Sequence, residues 1–220
     1  MDMAEPILLT FTSNFNLIIM KTNNFKTILY SAIIGVSALS CTNDDDFKLA
    51  PYIPIAFAED FNGVDNTILA IEGWTNFAEQ GTAKWKFQKF GGNGYGEFSA
   101  FQSPDASCVG WLISPAVSLK AGNLLKLRFQ VSQSFVSSSA NKLETLISTD
   151  YDGTNVTTAT WEPLNANIPG TDAEYFKFMD SGLIDLSGFS GDVYIAFKYT
   201  GSGTNSSLDG SYQIDSVRIY

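Results

Sequence analysis

The chain has 220 residues, with 23 Asp and Glu against 13 Lys and Arg, and a formal net charge of −10. Hydrophobic residues at 45% and aromatics at 14% supply a sizeable core, while the acid excess excludes a phosphate-neutralising surface, so nucleic acid is not an expected partner. The absence of His excludes Ser-His-Asp and Cys-His catalysis and His-ligated zinc, and two Cys cannot build a disulfide scaffold.

Residues 1–40 read as a signal peptide. The segment from Met20 to Lys26 carries Lys21 and Lys26 and no acid, and an apolar run follows from Ile28 to Leu39. That run is too short for a bilayer-spanning helix, which needs about 20 residues, and suits a signal-peptide hydrophobic region. Starting at Met20 puts the basic segment at the very N-terminus, so residues 1–19 are expected to precede the true start. Ala38-Leu39-Ser40-Cys41 resembles the lipobox of bacterial lipoproteins, with Ala38 where Leu is usual. The acids Asp44, Asp45 and Asp46 just after it resemble the export signal of Bacteroidota surface lipoproteins. The two likenesses imply acylation of Cys41 and an outer-membrane, cell-surface location. Residues 41–55, polar at first and containing Pro51 and Pro54, form the expected tether. Losing Asp2, Glu5, Lys21 and Lys26 with the signal leaves the net charge at −10. Cys108, in the run Cys108-Val109-Gly110-Trp111-Leu112-Ile113, is expected to be a buried small hydrophobe rather than a reactive thiol.

Beyond Pro54 the pattern is strand-like. Residues 55–61, 84–90, 95–101, 109–113 and 143–148 read as short strands. Leu125, Leu127, Phe129 and Val131 alternate with Lys126, Arg128, Gln130 and Ser132, and Val193, Ile195, Phe197 and Tyr199 alternate with Tyr194, Ala196 and Lys198. Asn62-Gly63, Gly91-Gly92-Asn93-Gly94, Ala121-Gly122-Asn123, Asp152-Gly153 and Asp209-Gly210 supply the turns. In the last strand, residues 212–220, the step from Ile214 to Val217 is odd, which predicts a bulge near Asp215-Ser216 that re-aims Asp215. Many short strands without helical crossovers make residues 56–220 one all-β domain, a β-sandwich or jelly roll.

Several segments, in order, resemble the choice-of-anchor J and cleaved adhesin family. They are Ala58-Glu59-Asp60-Phe61-Asn62-Gly63, Gly73-Trp74, and Gly110 through Leu119. The likeness continues through Leu146 to Gly153, Ile184-Asp185-Leu186-Ser187, Val193 to Lys198, and Gln213-Ile214-Asp215-Ser216-Val217. It covers residues 57–220. Such a resemblance implies a jelly-roll β-sandwich of galactose-binding-like type, similar to the adhesin domains of gingipain-type surface proteases. It also implies surface location, adhesion or ligand binding rather than catalysis, and calcium in several members. The family closes on an Asp-Asp pair where this chain has Asp215-Ser216.

With no His and many acids, a hard oxygen-ligated cation such as calcium is the metal class the composition favours. Glu59 and Asp60 in the first strand and Asp215 in the last are the candidate ligands, because jelly rolls of this kind set their chain ends side by side. Asp150 to Asn155 lacks the spacing of a calcium loop and reads as a hairpin turn centred on Asp152-Gly153. Trp111 reads as core, whereas Trp74, Trp85 and Trp161 border polar segments and are the candidate stacking platforms for a glycan. Residues 91–95 and 201–210 read first as connections and second as binding-face loops. Glu97, Glu144 and Glu162 are available acids that nothing in the sequence pairs. The expected function is therefore a surface-anchored lipoprotein with a non-catalytic module for an extracellular glycan or a host or matrix protein. The alternatives are a glycan-processing hydrolase using paired carboxylates and a structural component of an outer-membrane assembly.

Overall fold

The computed structural model describes residues 54–120 and 125–220. The signal peptide assigned to residues 1–40, the lipidation site Cys41, most of the tether and the turn at residues 121–123 lie outside the described residues. The described chain contains fourteen strands and no helix. In order they are β1 (Phe57–Glu59), β2 (Thr67–Ile68), β3 (Thr75–Gln80), β4 (Lys86–Phe90), β5 (Asn93–Ser99), β6 (Cys108–Ile113) and β7 (Val117–Leu119). There follow β8 (Lys126–Ser134), β9 (Lys142–Ser148), β10 (Glu162–Pro163), β11 (Met179–Asp180), β12 (Ile184–Asp185), β13 (Gly191–Gly201) and β14 (Ser211–Ile219).

Two antiparallel sheets form a jelly-roll β-sandwich. The first runs β11-β8-β14-β5-β4-β2, with β1 continuing along β14 and β12 along β8; the second runs β10-β9-β13-β6-β3, with β7 on β13. The long strands follow period-two burial. Leu127, Phe129 and Val131 of β8 face inward, as do Val193, Ile195, Phe197 and Tyr199 of β13. Phe98 stacks on Tyr199 at 4.3 Å between ring centroids, and Phe129 meets Phe197 edge-on at 5.0 Å, which joins the two inner faces.

Strand β6 is buried on both faces. Cys108 and Leu112 enter the sandwich core, whereas Val109, Trp111 and Ile113 join a second cluster with Leu146, Tyr151 and Val156, outside the second sheet. Trp111 is therefore buried as expected, but beneath the loop of residues 149–161 and not between the sheets. The Asp152-Gly153 turn sits inside that loop, with Asp152 Oδ1 accepting from the Thr154 and Asn155 amides, and does not close a tight hairpin. A two-residue turn at Gly91-Gly92, both at positive φ, closes the β4–β5 hairpin.

The bulge foreseen in the last strand is present: register shifts between Asp215 and Arg218, and Ser216 adopts φ 51. It lets Tyr212 and Ile214 on one side, and Val217 and Ile219 on the other, all face the core. The first and last strands pair, Phe57 opposite Ile219, so the ends of the described domain lie side by side.

Candidate functional site

The outward face of the first sheet is unusual in being polar yet largely buried. Pairing sets Lys86, Glu97, Gln213 and Ser132 in one row across β4, β5, β14 and β8, and Ser99, Ser211 and Ser134 in the next. Gln213 Nε2 donates to Glu97 Oε2 at 2.8 Å and to Ser211 Oγ at 2.7 Å, and Ser132 Oγ donates to Gln213 Oε1 at 2.7 Å. A floor whose hydroxyl, amide and carboxylate groups satisfy one another is rigid, because each partner fixes the next side chain's rotamer.

Aromatic side chains rise around this floor. Phe90 is 81% exposed, Phe101 63%, Phe135 60%, Tyr175 49% and Phe176 48%. Two come from the segment leading into β11, which the Phe176 amide and Gln133 carbonyl pin alongside β8 at 2.8 Å. From there Phe178 reaches Tyr95 on β5 at 5.7 Å. Phe135 contacts Tyr175 at 4.8 Å. The result is a groove of three adjoining cavities. One of about 410 Å³ lies over Lys84, Lys86 and Gln88. One of about 500 Å³ lies between Phe101 and Phe135. One of about 510 Å³ lies between Phe90, Tyr95 and Phe178. Glu97, Ser99 and Phe101 line both of the first two, and Phe176 lines both of the last two. Each is of the size that holds a small ligand.

Burial pushes the Glu97 carboxyl above its ordinary range, against the opposing hydrogen bonds of Gln213 and Ser211 and the charge of Lys86. Burial likewise raises the Tyr95 phenol, with the charges of Glu97 and Asp65 adding to the effect. These shifts mark a partly dehydrated floor, the condition under which a ligand hydrogen bond gains strength.

None of the residues singled out from the sequence as metal ligands or stacking platforms lines this groove. Glu59, Asp60 and Asp215 do not form a calcium cage. Glu59 Oε1 accepts from the Asp60 and Phe61 amides, Asp60 pairs with the Arg218 guanidinium, and Asp215 accepts from its own Ser216 amide and from Asn93 Nδ2 at 3.0 Å. A guanidinium already stands against the acid that a cation would need. No group of three such ligands converges among the described residues, so these acids do not fit the ion.

Trp85, expected as an exposed platform, is completely buried and packs edge-on against Phe98 at 5.8 Å. It cannot stack on a sugar, because its strand parity turns it inward. Trp74 is half-buried against Phe57 and Phe61. Trp161 is half-buried on the opposite sheet, against Trp111 at 5.2 Å, with its Nε1 donating to the Val156 carbonyl. The three indoles therefore lie in three separate places. Of the acids, Glu97 lines the groove, while Glu144 and Glu162 belong to β9 and β10 on the second sheet. The groove's own aromatics escaped notice because Phe reads as core by type. The sequence signal that did reach it was the two loops, residues 91–95 and 201–210, which contribute Asn93, Tyr95, Ser206 and Asp209.

The chain matches no protein-family model and no curated protein sequence. Among solved structures it is similar to the K1 cleaved adhesin domain of Lys-gingipain from Porphyromonas gingivalis W83, with 22% identity over 74% of this chain and 96% of that one and a TM-score of 0.46. It is similar to the CBM22-1 xylan-binding domain of Xyn10C from Paenibacillus barcinonensis, with 14% identity over 77% and 96% and a TM-score of 0.45. A third likeness is to the family 11 carbohydrate-binding module from Clostridium thermocellum, with 14% identity over 73% and 92% and a TM-score of 0.42.

Proposed function

We propose that the protein is a non-catalytic saccharide-binding module that a lipid on Cys41 holds at the outer face of the outer membrane. The observation that carries the binding reading is the set of exposed rings, Phe90, Phe101, Phe135, Tyr175 and Phe176, around a floor of fixed hydroxyl, amide and carboxylate groups. A pyranose presents an apolar C–H face and a rim of hydroxyls, and such a groove answers both at once. Three adjoining cavities favour an oligosaccharide over a single sugar. A flat apolar patch, which a protein-binding adhesin or an assembly component would present, is not what a hydrogen-bonding floor offers. The anchoring half of the proposal rests on the basic segment, the short apolar run and the Ser40-Cys41 junction.

A glycan array probed with the soluble chain from Thr42 onward tests the binding half. It should register oligosaccharides, and the double variant Phe101→Ala, Phe135→Ala should lose about tenfold or more in affinity with its melting temperature preserved. Silence across the array, or release of new reducing ends from a bound glycan, would contradict the proposal.

A further inference from the structure

The middle cavity differs from its neighbours in charge. Glu97 and Asp209 line it, together with Ser99, Ser134 and Ser211, and no Lys or Arg does. Glu97 uses Oε2 to accept from Gln213 and Ser211, and forms no ion pair among the described residues. Its cross-strand neighbour Lys86 directs its Nζ to Asn66 Oδ1 at 3.4 Å. Asp209, half-buried, has neither a hydrogen bond nor an ion pair from its side chain among the described residues. Two carboxylates, neither in an ion pair among the described residues, thus face a space walled by aromatic rings.

The walls are set by topology. Phe101 follows β5 and Phe135 follows β8, with β14 between them, so their chains stand about two strand spacings, roughly 10 Å, apart. The cavity of about 500 Å³ that they border is of the size that holds a small ligand. Phe135 and Phe176 hold φ 59 and 58, a left-handed backbone that bulky side chains rarely adopt, while their rings remain exposed. Aromatic faces attract a cation electrostatically, and carboxylates give it charge-assisted hydrogen bonds. A uronic or sulfated sugar is repelled by the same two acids, and a neutral sugar leaves them without a counter-charge.

We infer that the cavity between Phe101 and Phe135 selects a saccharide unit bearing a free ammonium group, of the 2-amino-2-deoxy class, with Glu97 and Asp209 facing the nitrogen. This rests on the saccharide reading above and names the sugar. The net charge of −10 favours the approach of such a polycation.

The test is calorimetric titration of the soluble chain from Thr42 at mildly acidic pH and low salt. The probes are three β-1,4-linked oligomers of equal length, built from glucosamine, N-acetylglucosamine and glucose. The glucosamine oligomer should bind at least about tenfold more tightly than the other two. That preference should shrink to about twofold in Glu97→Gln and in Asp209→Asn, the latter a solvent-accessible change that leaves the fold intact, and should weaken with added salt. Equal affinity for glucosamine and glucose oligomers would overturn the inference while leaving saccharide binding standing. Failure of every saccharide on the array would instead overturn the reading on which it rests. Capture of choline or a lysine peptide without any amino sugar would also overturn the inference.

Discussion

Phe135 and Phe176 show most plainly what the groove requires of single residues. Each holds a left-handed backbone and neither is repaid by burial. Glycine at position 135 removes the steric conflict and adds unfolded-state entropy, two effects of similar size and opposite sign. Phe135→Gly should therefore change stability by no more than about 1 kcal/mol in chemical denaturation, yet weaken saccharide binding severalfold. Glu97 makes a second prediction. Burial raises its folded pKa above the ordinary 4.5, so the folded state binds its proton more tightly than the unfolded chain. Stability falls as pH rises from that ordinary value through the raised one. The groups that face it are Lys86 on β4, Gln213 and Ser211 on β14, and Asp209 across the cavity. Glu97→Gln keeps an acceptor for Gln213 and removes the charge. Its melting temperature should exceed that of the parent protein at neutral pH, and the difference should vanish below the ordinary carboxyl range. At this scale the sequence misleads about exposure: Trp85 and Phe90 are both aromatic and five residues apart, yet one is wholly buried and the other 81% exposed. Residue type does not report which face of a strand, or which side of a turn, receives the ring.

Among the elements, those with clean alternation were legible from the chain alone. The pleats of β8 and β13 follow the alternation of Leu127, Phe129 and Val131 and of Val193 through Tyr199, and the odd step from Ile214 to Val217 did mark a bulge. Strand β3, Thr-Asn-Phe-Ala-Glu-Gln, has no alternation and was not foreseen; its ladder with β6 alone defines it. The pairs β10, β11 and β12 are two residues long and exist only because β9 and β8 offer free edges. Burial of Ser132 and Gln213 was illegible for the same reason, since the aromatic segment pinned alongside β8 comes from more than thirty residues away from either in sequence. The contact between sheets also gives a prediction. A Cβ placed on Gly110 of β6 lies 1.9 Å from Phe98 Cε2, and Phe98 is held between Tyr199 and Trp85. Gly110→Ala should therefore destabilise the fold by about 1–3 kcal/mol, read as a lowered melting temperature, without altering the residues of the groove.

For the molecule as a whole, the proposed lipid anchor at Cys41 would hold at a membrane a sandwich whose one outward face is a groove. Acyl chains partition into a bilayer at about 0.8 kcal/mol per buried CH₂, so several chains on one cysteine hold a protein stably. Cys41→Ala should accordingly move the protein from the membrane fraction to the soluble fraction and abolish labelling by a fatty-acid precursor, with saccharide affinity unchanged. The all-β architecture was legible from residues 56–220 because apolar alternation recurs in β8 and β13 and turn residues separate the shorter strands. The groove was not, because it is assembled from β4, β5, β8, β14 and the approach to β11, which meet only in the folded chain. Chemical-shift mapping of the backbone amides, during titration with the tightest-binding saccharide from the array, reads directly whether this groove is the binding face. Shifts should concentrate at Glu97 to Phe101, Ser134 to Val136, Tyr175 to Phe178 and Ser206 to Ser211. Shifts centred instead on Trp161 and Trp111 of the opposite sheet, or spread evenly over the molecule, would contradict it.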